Sequence, residues 1–287
     1  MTLYTEENID MFPFQEKELQ ATFYKSTDQE TKAVILYFHG GGFIFGHRKD
    51  LPKSYIELFT SFGISVLTVD YPLAPETKLP TILDTTNKIT NWFIDHFLPE
   101  INQTNYFIMG RSAGAFLALS NALYANQLAI SPLGVVFLYG YFNLNDASFS
   151  VPNRHYLQYP KVEDKIVASL IEKEPFLGTE DPNRYLVYLA ARQKGDWLDL
   201  FLSSADQKQK FTIQKDELKD LPPLFIAAAS GDPDVPVRQS RQLANFHPKA
   251  MLNIFEVDEH DFDRVHESTI GLKLYKEIIS WILEHLT

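Results

Sequence analysis

Ser112 stands at the centre of Gly110-Arg111-Ser112-Ala113-Gly114, a Gly-x-Ser-x-Gly motif. The apolar, β-prone run 106–109 precedes it, and an Ala- and Leu-rich stretch, 113–124, follows. A strand that turns straight into a helix must reverse within a few residues. The glycines remove side chains that would collide there, and the turn holds the serine hydroxyl out at a helix N-terminus, where developing negative charge is favoured. Such a serine is suited to nucleophilic attack, and it needs a base and a carboxylate behind the base. Of the eight histidines, only His39 and His260 directly follow an apolar strand-like run or its exit turn. His260 lies in the segment after the last such run and can reach over a sheet to Ser112. His39 leads a glycine triplet and reads as a residue that holds its loop. Asp232 and Asp234 follow the penultimate apolar run, and either could orient the histidine.

The chain that must position these groups has 287 residues, 45% of them hydrophobic, enough for one large domain with an inserted sub-domain. A net charge of -11 repels phosphate backbones, so nucleic acid is not an expected partner. With no cysteine, disulfides, thiolate metal sites and cysteine nucleophiles are excluded. The acidic N-terminus does not have the pattern of a signal peptide, and no apolar run reaches the roughly 18 residues of a membrane span. A soluble cytoplasmic protein acting on a small molecule is expected, with no membrane partner; the chain leaves room for a homodimer.

Apolar runs, the mark of strands buried on both faces, occur at Ala33–Phe38, 106–109, 135–139 and Leu224–Ala229; another buried strand is expected at Ile64–Val69 and the last strand at 252–257. An earlier strand is expected at 18–24, with 1–20 otherwise peripheral. Helical patterns fall at 51–62, 82–97, 113–124, 237–246 and 268–285. The alternation predicts an α/β fold, a mostly parallel sheet with helices on both faces. It breaks at 143–220, where only helical pieces are expected, at 162–173, 183–193 and 197–203. So long an insertion reads as a helical cap on a core of 1–142 and 221–287. Aromatic residues crowd its entry, and Phe43, Tyr141 and Phe142 are expected to line a substrate pocket.

Four landmarks in order, His39-Gly40-Gly41-Gly42-Phe43, Tyr71-x-Leu73-Ala74-Pro75-Glu76, Gly110-x-Ser112-Ala113-Gly114 and Asp232 with His260, carry a resemblance. Over about residues 30–285 the chain resembles an α/β-hydrolase of the esterase/lipase group, the hormone-sensitive-lipase-like carboxylesterases. That resemblance implies Ser112 as nucleophile, His260 as base and Asp232 as its acid. It implies an oxyanion hole from the amides of Gly41, Gly42 and Ala113, and neither cofactor nor metal. It implies hydrolysis of esters through an acyl-enzyme; the short cap points to short-acyl soluble substrates. Carbohydrate deacetylation, a small peptidase activity or a non-catalytic ligand-binding role are the rival readings. Pro233 disfavours a helical Asp232 and leaves Asp234 placed to cap the helix that follows. The sequence departs from the family at Arg111, where an Asp is usual, and at Pro72, where an Arg is usual. Arg111 is expected to point away from the oxyanion into an ion pair beneath the turn, the alternative being attraction of an anionic substrate.

Overall fold

The computed structural model describes residues 4–178, 180–204 and 206–286. Strands β1 (Tyr4–Phe14), β2 (Lys17–Ser26), β3 (Ala33–Phe38), β4 (Ile64–Val69), β5 (Tyr106–Arg111), β6 (Val135–Leu138), β7 (Leu224–Ala229) and β8 (Ala250–Phe255) form one sheet. Their order is β1-β2-β4-β3-β5-β6-β7-β8. β1 pairs antiparallel with β2, and β2 antiparallel with β4; every pair from β4 to β8 is parallel. This is the expected α/β architecture, with one addition. The segment read as peripheral contributes β1, whose mostly exposed sequence YTEENIDMFPF carries no buried run. It is held instead by its antiparallel ladder to β2 at the edge of the sheet.

The inner strands β3 to β7 are buried along their whole length. Alternate residues feed two cores. Val34, Leu36 and Phe38 pack on one face, under the helices Leu79–Trp92 and Ala113–Ala125. Ala33, Ile35 and Tyr37 pack on the other, under the helices Lys53–Ser61 and Leu272–Glu284. That period of two is the pleat itself. Because β3, β5, β7 and β8 run parallel, their C-terminal ends share one edge, and the loops that leave them converge there.

Between β6 and β7 the described residues form no strand. Short helices replace it, including Asp164–Leu170, Tyr185–Lys194, Trp197–Phe201 and Asp206–Phe211. The helix Tyr185–Lys194 ends at Gly195, whose φ of +81° gives the left-handed cap that stops it. Arg184, just before that helix, is buried against Glu76 and donates to the carbonyls of Ile44 and Ala74. The insertion is thereby tied to the loops after β3 and β4.

Candidate active site

The turn after β5 is as tight as its sequence demands. A Cβ at Gly110 would come within 1.9 Å of the Gly114 carbonyl oxygen, and one at Gly114 within 2.1 Å of that of Phe38. Between them Ser112 has φ 53° and ψ -120°, a conformation that costs energy for any residue with a side chain. The amide of Ser112 donates to Leu138 of β6, and its carbonyl accepts from Ala115, which pins the strained residue from both sides.

His260, five residues beyond the end of β8, returns over that edge. The Ser112 hydroxyl donates to His260 Nε2 at 2.8 Å, and Nδ1 donates to Asp232 Oδ2 at 2.7 Å. The other oxygen of Asp232 accepts from the backbone amides of Asp234 and Val235 at 2.8 and 2.9 Å. Asp232 is therefore locked at the exit of β7 with one oxygen left for the imidazole. Burial opposes a charge on His260, but the facing Asp232 carboxylate and its hydrogen bond, with Asp234 and Asp261, outweigh it and push the pKa up to about 10.

Beside the serine runs the glycine turn after β3. In each of its peptides a carbonyl is tied into the protein, so the amide hydrogen on the opposite side of the same plane faces out. His39 Nδ1 donates to the Gly40 carbonyl at 2.8 Å, and the Ile44 amide donates to that of Gly41 at 2.9 Å. Among the described residues the amides of Gly41, Gly42 and Ala113 have no protein acceptor. His39 is fully buried and stacked on Tyr71, and burial lowers its pKa, consistent with a neutral ring that holds the loop.

A cavity of about 410 Å³ opens over Ser112, His260 and the glycine turn, and Phe45, Tyr156, Tyr185 and Tyr188 supply its aromatic wall. Phe43, Tyr141 and Phe142 do not line it. Phe43 has φ +65°, which turns its ring back into the core, edge-on to Phe116, Tyr141 and Phe201. Tyr141 and Phe142 are also buried away from the cavity. The aromatic richness of this region builds the core behind the glycine turn.

Asp234 departs from expectation as well. It caps nothing: the helix Arg238–Phe246 starts with no side-chain cap. Its carboxylate instead accepts from Tyr188 Oη at 2.7 and 2.9 Å and pairs with Arg192 at 3.2 Å, both on the insertion helix. Burial alone would raise its pKa, but Arg192, His260 and the tyrosine hydroxyls hold it below the usual value. It lies 3.9 Å from His260 Nε2. Tyr188 and Arg192 were legible only as polar tips four residues apart on one helix face; nothing in their spacing named Asp234 as the partner.

Arg111 does turn beneath the elbow. It is 2% exposed, pairs with Asp263 at 3.1 Å and Asp50 at 3.5 Å, and donates to Tyr139 Oη. Its charge is answered by the buried Asp263 and the partly buried Asp50, and it also borders the cavity over Ser112.

A sharp serine turn, a glycine turn with outward amides and a parallel sheet carrying both at one edge define the α/β-hydrolase class. The comparisons agree. A family profile described as alpha/beta hydrolase fold matches residues 35–250, and the chain belongs to that family, in its esterase/lipase group. It is 27% identical over 214 residues to an acetyl esterase of Salmonella schwarzengrund, an alignment covering 72% of this chain and 58% of that relative. The chain thus spans less than three fifths of the length of the curated relatives it matches. Among solved structures, a Staphylococcus aureus subsp. aureus Mu50 protein is 30% identical with a TM-score of 0.86, covering 98% of this chain and 100% of its own. An alpha/beta hydrolase superfamily protein from Enterococcus faecalis is 29% identical with the same TM-score, covering 98% and 99%. Among the described residues no helix is long and apolar enough to cross a membrane.

Proposed function

We propose that the protein is a serine carboxylic-ester hydrolase for small, short-acyl, soluble esters. The observation that carries the reading is the unbroken chain Ser112 Oγ, His260 Nε2, His260 Nδ1, Asp232 Oδ2 at 2.8 and 2.7 Å, next to the unpartnered amides of the glycine turn. In this reading His260 takes the proton as Ser112 Oγ attacks the ester carbonyl. The oxyanion of the tetrahedral intermediate is held by the amides of Gly41, Gly42 and Ala113; one such donor is worth about 2.7–4 kcal/mol in a serine hydrolase of unrelated fold. His260 then protonates the departing alcohol, and water repeats the sequence on the acyl-enzyme. The imidazolium formed on the way is stabilised by Asp232, and Asp234 stands close enough to add to that.

The short acyl chain is supported from two sides. Aromatic rings pack the region behind the glycine turn, with Tyr188 directly against Gly42. The Salmonella relative is named an acetyl esterase. A sugar-acetate deacetylase is a second reading of the same chemistry, favoured by Tyr156 and Tyr185 on the cavity wall as rings for a sugar face to stack on, with Asp181 and Asp261 as acceptors for sugar hydroxyls. Two measurements test the proposal: covalent labelling of Ser112 by a fluorophosphonate, and kcat/KM across acetyl, butyryl, octanoyl and palmitoyl esters. Labelling at Ser112 with a maximum at acetyl or butyryl is expected. An unlabelled Ser112, or a maximum at palmitoyl, would overturn it.

A further inference from the structure

The insertion between β6 and β7 reaches the glycine turn with one hydrogen bond. Trp197, 1% exposed, donates from Nε1 to the Gly42 carbonyl at 3.0 Å. The indole is itself clamped by the rings of Tyr141, Phe149, Tyr188 and Phe201, at centroid distances of 5.1 to 6.1 Å, with the Arg192 guanidinium over it at 5.4 Å. Its donor therefore has a fixed position in the protein. Gly42 is at φ +61° and has no side chain; a Cβ there would lie 2.3 Å from Tyr188. A glycine so placed has no steric reason of its own to keep one ψ.

The other carbonyls of the turn are answered by its own neighbourhood. Gly40 O accepts from His39, Gly41 O from Ile44 and Phe45, and Phe43 O from Ala74. Gly42 O alone among these four is answered from the insertion. The Gly42 amide itself lies in the Gly41–Gly42 plane, held by the bonds from Ile44 and Phe45 to the Gly41 carbonyl; the Trp197 bond fixes the next plane, Gly42–Phe43, and so holds from the other side the Cα at which the two planes meet.

We propose that Trp197 is a positioning residue for the oxyanion turn, so that the insertion is part of the machinery that stabilises the transition state as well as a cover over the cavity. The proposal rests on the esterase reading above for its kinetic consequences, and on geometry alone for its structural one. Deleting the N–H leaves a buried carbonyl without a donor and frees the Gly42–Phe43 plane to rotate. Substrate is bound in its ground state largely by the cavity wall, whereas the amide of Gly42 matters most once the oxyanion forms.

The test replaces Trp197 by 3-benzothienylalanine, which keeps the bicyclic shape and packing and puts sulfur where the N–H was; Trp197→Phe is the encoded companion. On a p-nitrophenyl acetate assay the isostere is expected to lower kcat about tenfold or more, with KM within about twofold. Inhibition by a trifluoromethyl ketone, which forms the tetrahedral adduct on Ser112, should weaken by the same factor as kcat/KM falls. Unchanged kcat and ketone affinity in the isostere would overturn the proposal and leave Trp197 a packing residue. Amide hydrogen exchange at Ile44, Phe45 and Ala74, whose amides are bonded to the Gly41 and Phe43 carbonyls of the turn, gives an arm that needs no activity. Faster exchange in the isostere supports the role of Trp197, and unchanged exchange sinks it. A wild-type protein inert toward both ester and ketone would overturn the esterase reading, while the exchange arm would still decide on Trp197.

Discussion

Two buried Arg–Asp–Tyr clusters flank the serine turn, and they do different work. Arg111, Asp263 and Tyr139 lie beneath it, joined by Tyr275, with Asp50 bridging Arg111 to Tyr37. Arg192, Asp234 and Tyr188 lie above it, between the insertion and the loop after β7. In each, a guanidinium withdrawn from water pairs with a carboxylate that also accepts from a phenol, Tyr139 on Asp263 and Tyr188 on Asp234. The difference is what the carboxylate faces. Asp263 is enclosed by its partners and braces the floor of the turn. Asp234 is 3.9 Å from His260 Nε2, the atom that would exchange protons with Ser112. The same set of side chains is a brace in one place and an electrostatic neighbour of the proposed base in the other. Position relative to the imidazole decides which.

The largest effect belongs to the residue between the clusters. Asp232→Asn should lower kcat by up to about 10⁴ with the fold retained, because an amide favours the wrong imidazole tautomer. Steady-state kinetics and a thermal melt on the same sample check it; a loss of Tm matching the loss of activity would count against the role. Breaking either cluster should cost stability to a similar degree. Asp234→Asn takes the carboxylate from the buried Arg192, and Asp263→Asn leaves the buried Arg111 with Asp50 alone, each at a cost of up to about 3–5 kcal/mol in denaturant unfolding. A cost under about 1 kcal/mol in either would show that cluster to be slack.

The sharper separation is in pH dependence. Facing carboxylates raise the pKa of His260 to about 10, so the acid limb of kcat/KM should lie well to the alkaline side of an ordinary histidine near 6.5. Asp234→Asn removes one of those negative charges and should move the limb to lower pH. Asp263→Asn should leave it in place. Equal shifts in both would erase the distinction between brace and neighbour. The same raised pKa has a stability consequence with a definite sign. The folded state holds the proton more tightly than the unfolded chain. The stabilisation is therefore fully present below about pH 6.5 and is lost as the pH rises through about 10. Urea unfolding at pH 6 and pH 10, with His260→Gln as the control that flattens the difference, measures it. The smallest effect is that of Tyr188→Phe, which removes a hydroxyl bond to a charged partner and should cost about 1.5–3 kcal/mol while leaving the ring against Gly42.

Legibility in the sequence followed the strength of the local signal. Ala33–Phe38, Ile64–Val69 and Leu224–Ala229 could be bounded to the residue because a strand covered on both faces is uncharged and mostly apolar along its whole length. β1 could not, because its residues are mostly exposed and only pairing with β2 makes them a strand. The serine turn was legible because Gly110 and Gly114 are forced by backbone approaching within 2.1 Å of where a Cβ would be. The pocket was not. Phe43, Tyr141 and Phe142 are as apolar as Phe45 and Tyr185, and no spacing says which rings turn toward a cavity and which into the core.

By itself the sequence determined the buried strands, the alternation that makes the sheet parallel and the sharp turn that carries Ser112, since these depend on neighbours within a few residues. Tertiary structure alone decided that Asp234 meets Arg192 and Tyr188, that Arg111 meets Asp263, and that the indole of Trp197 meets Gly42. Those pairs are 42, 46, 152 and 155 residues apart in the chain. Buried charge and buried carbonyls require partners, but the requirement names a type of group and not its place in the sequence. Only the packing of the insertion against the edge of the sheet supplies that place.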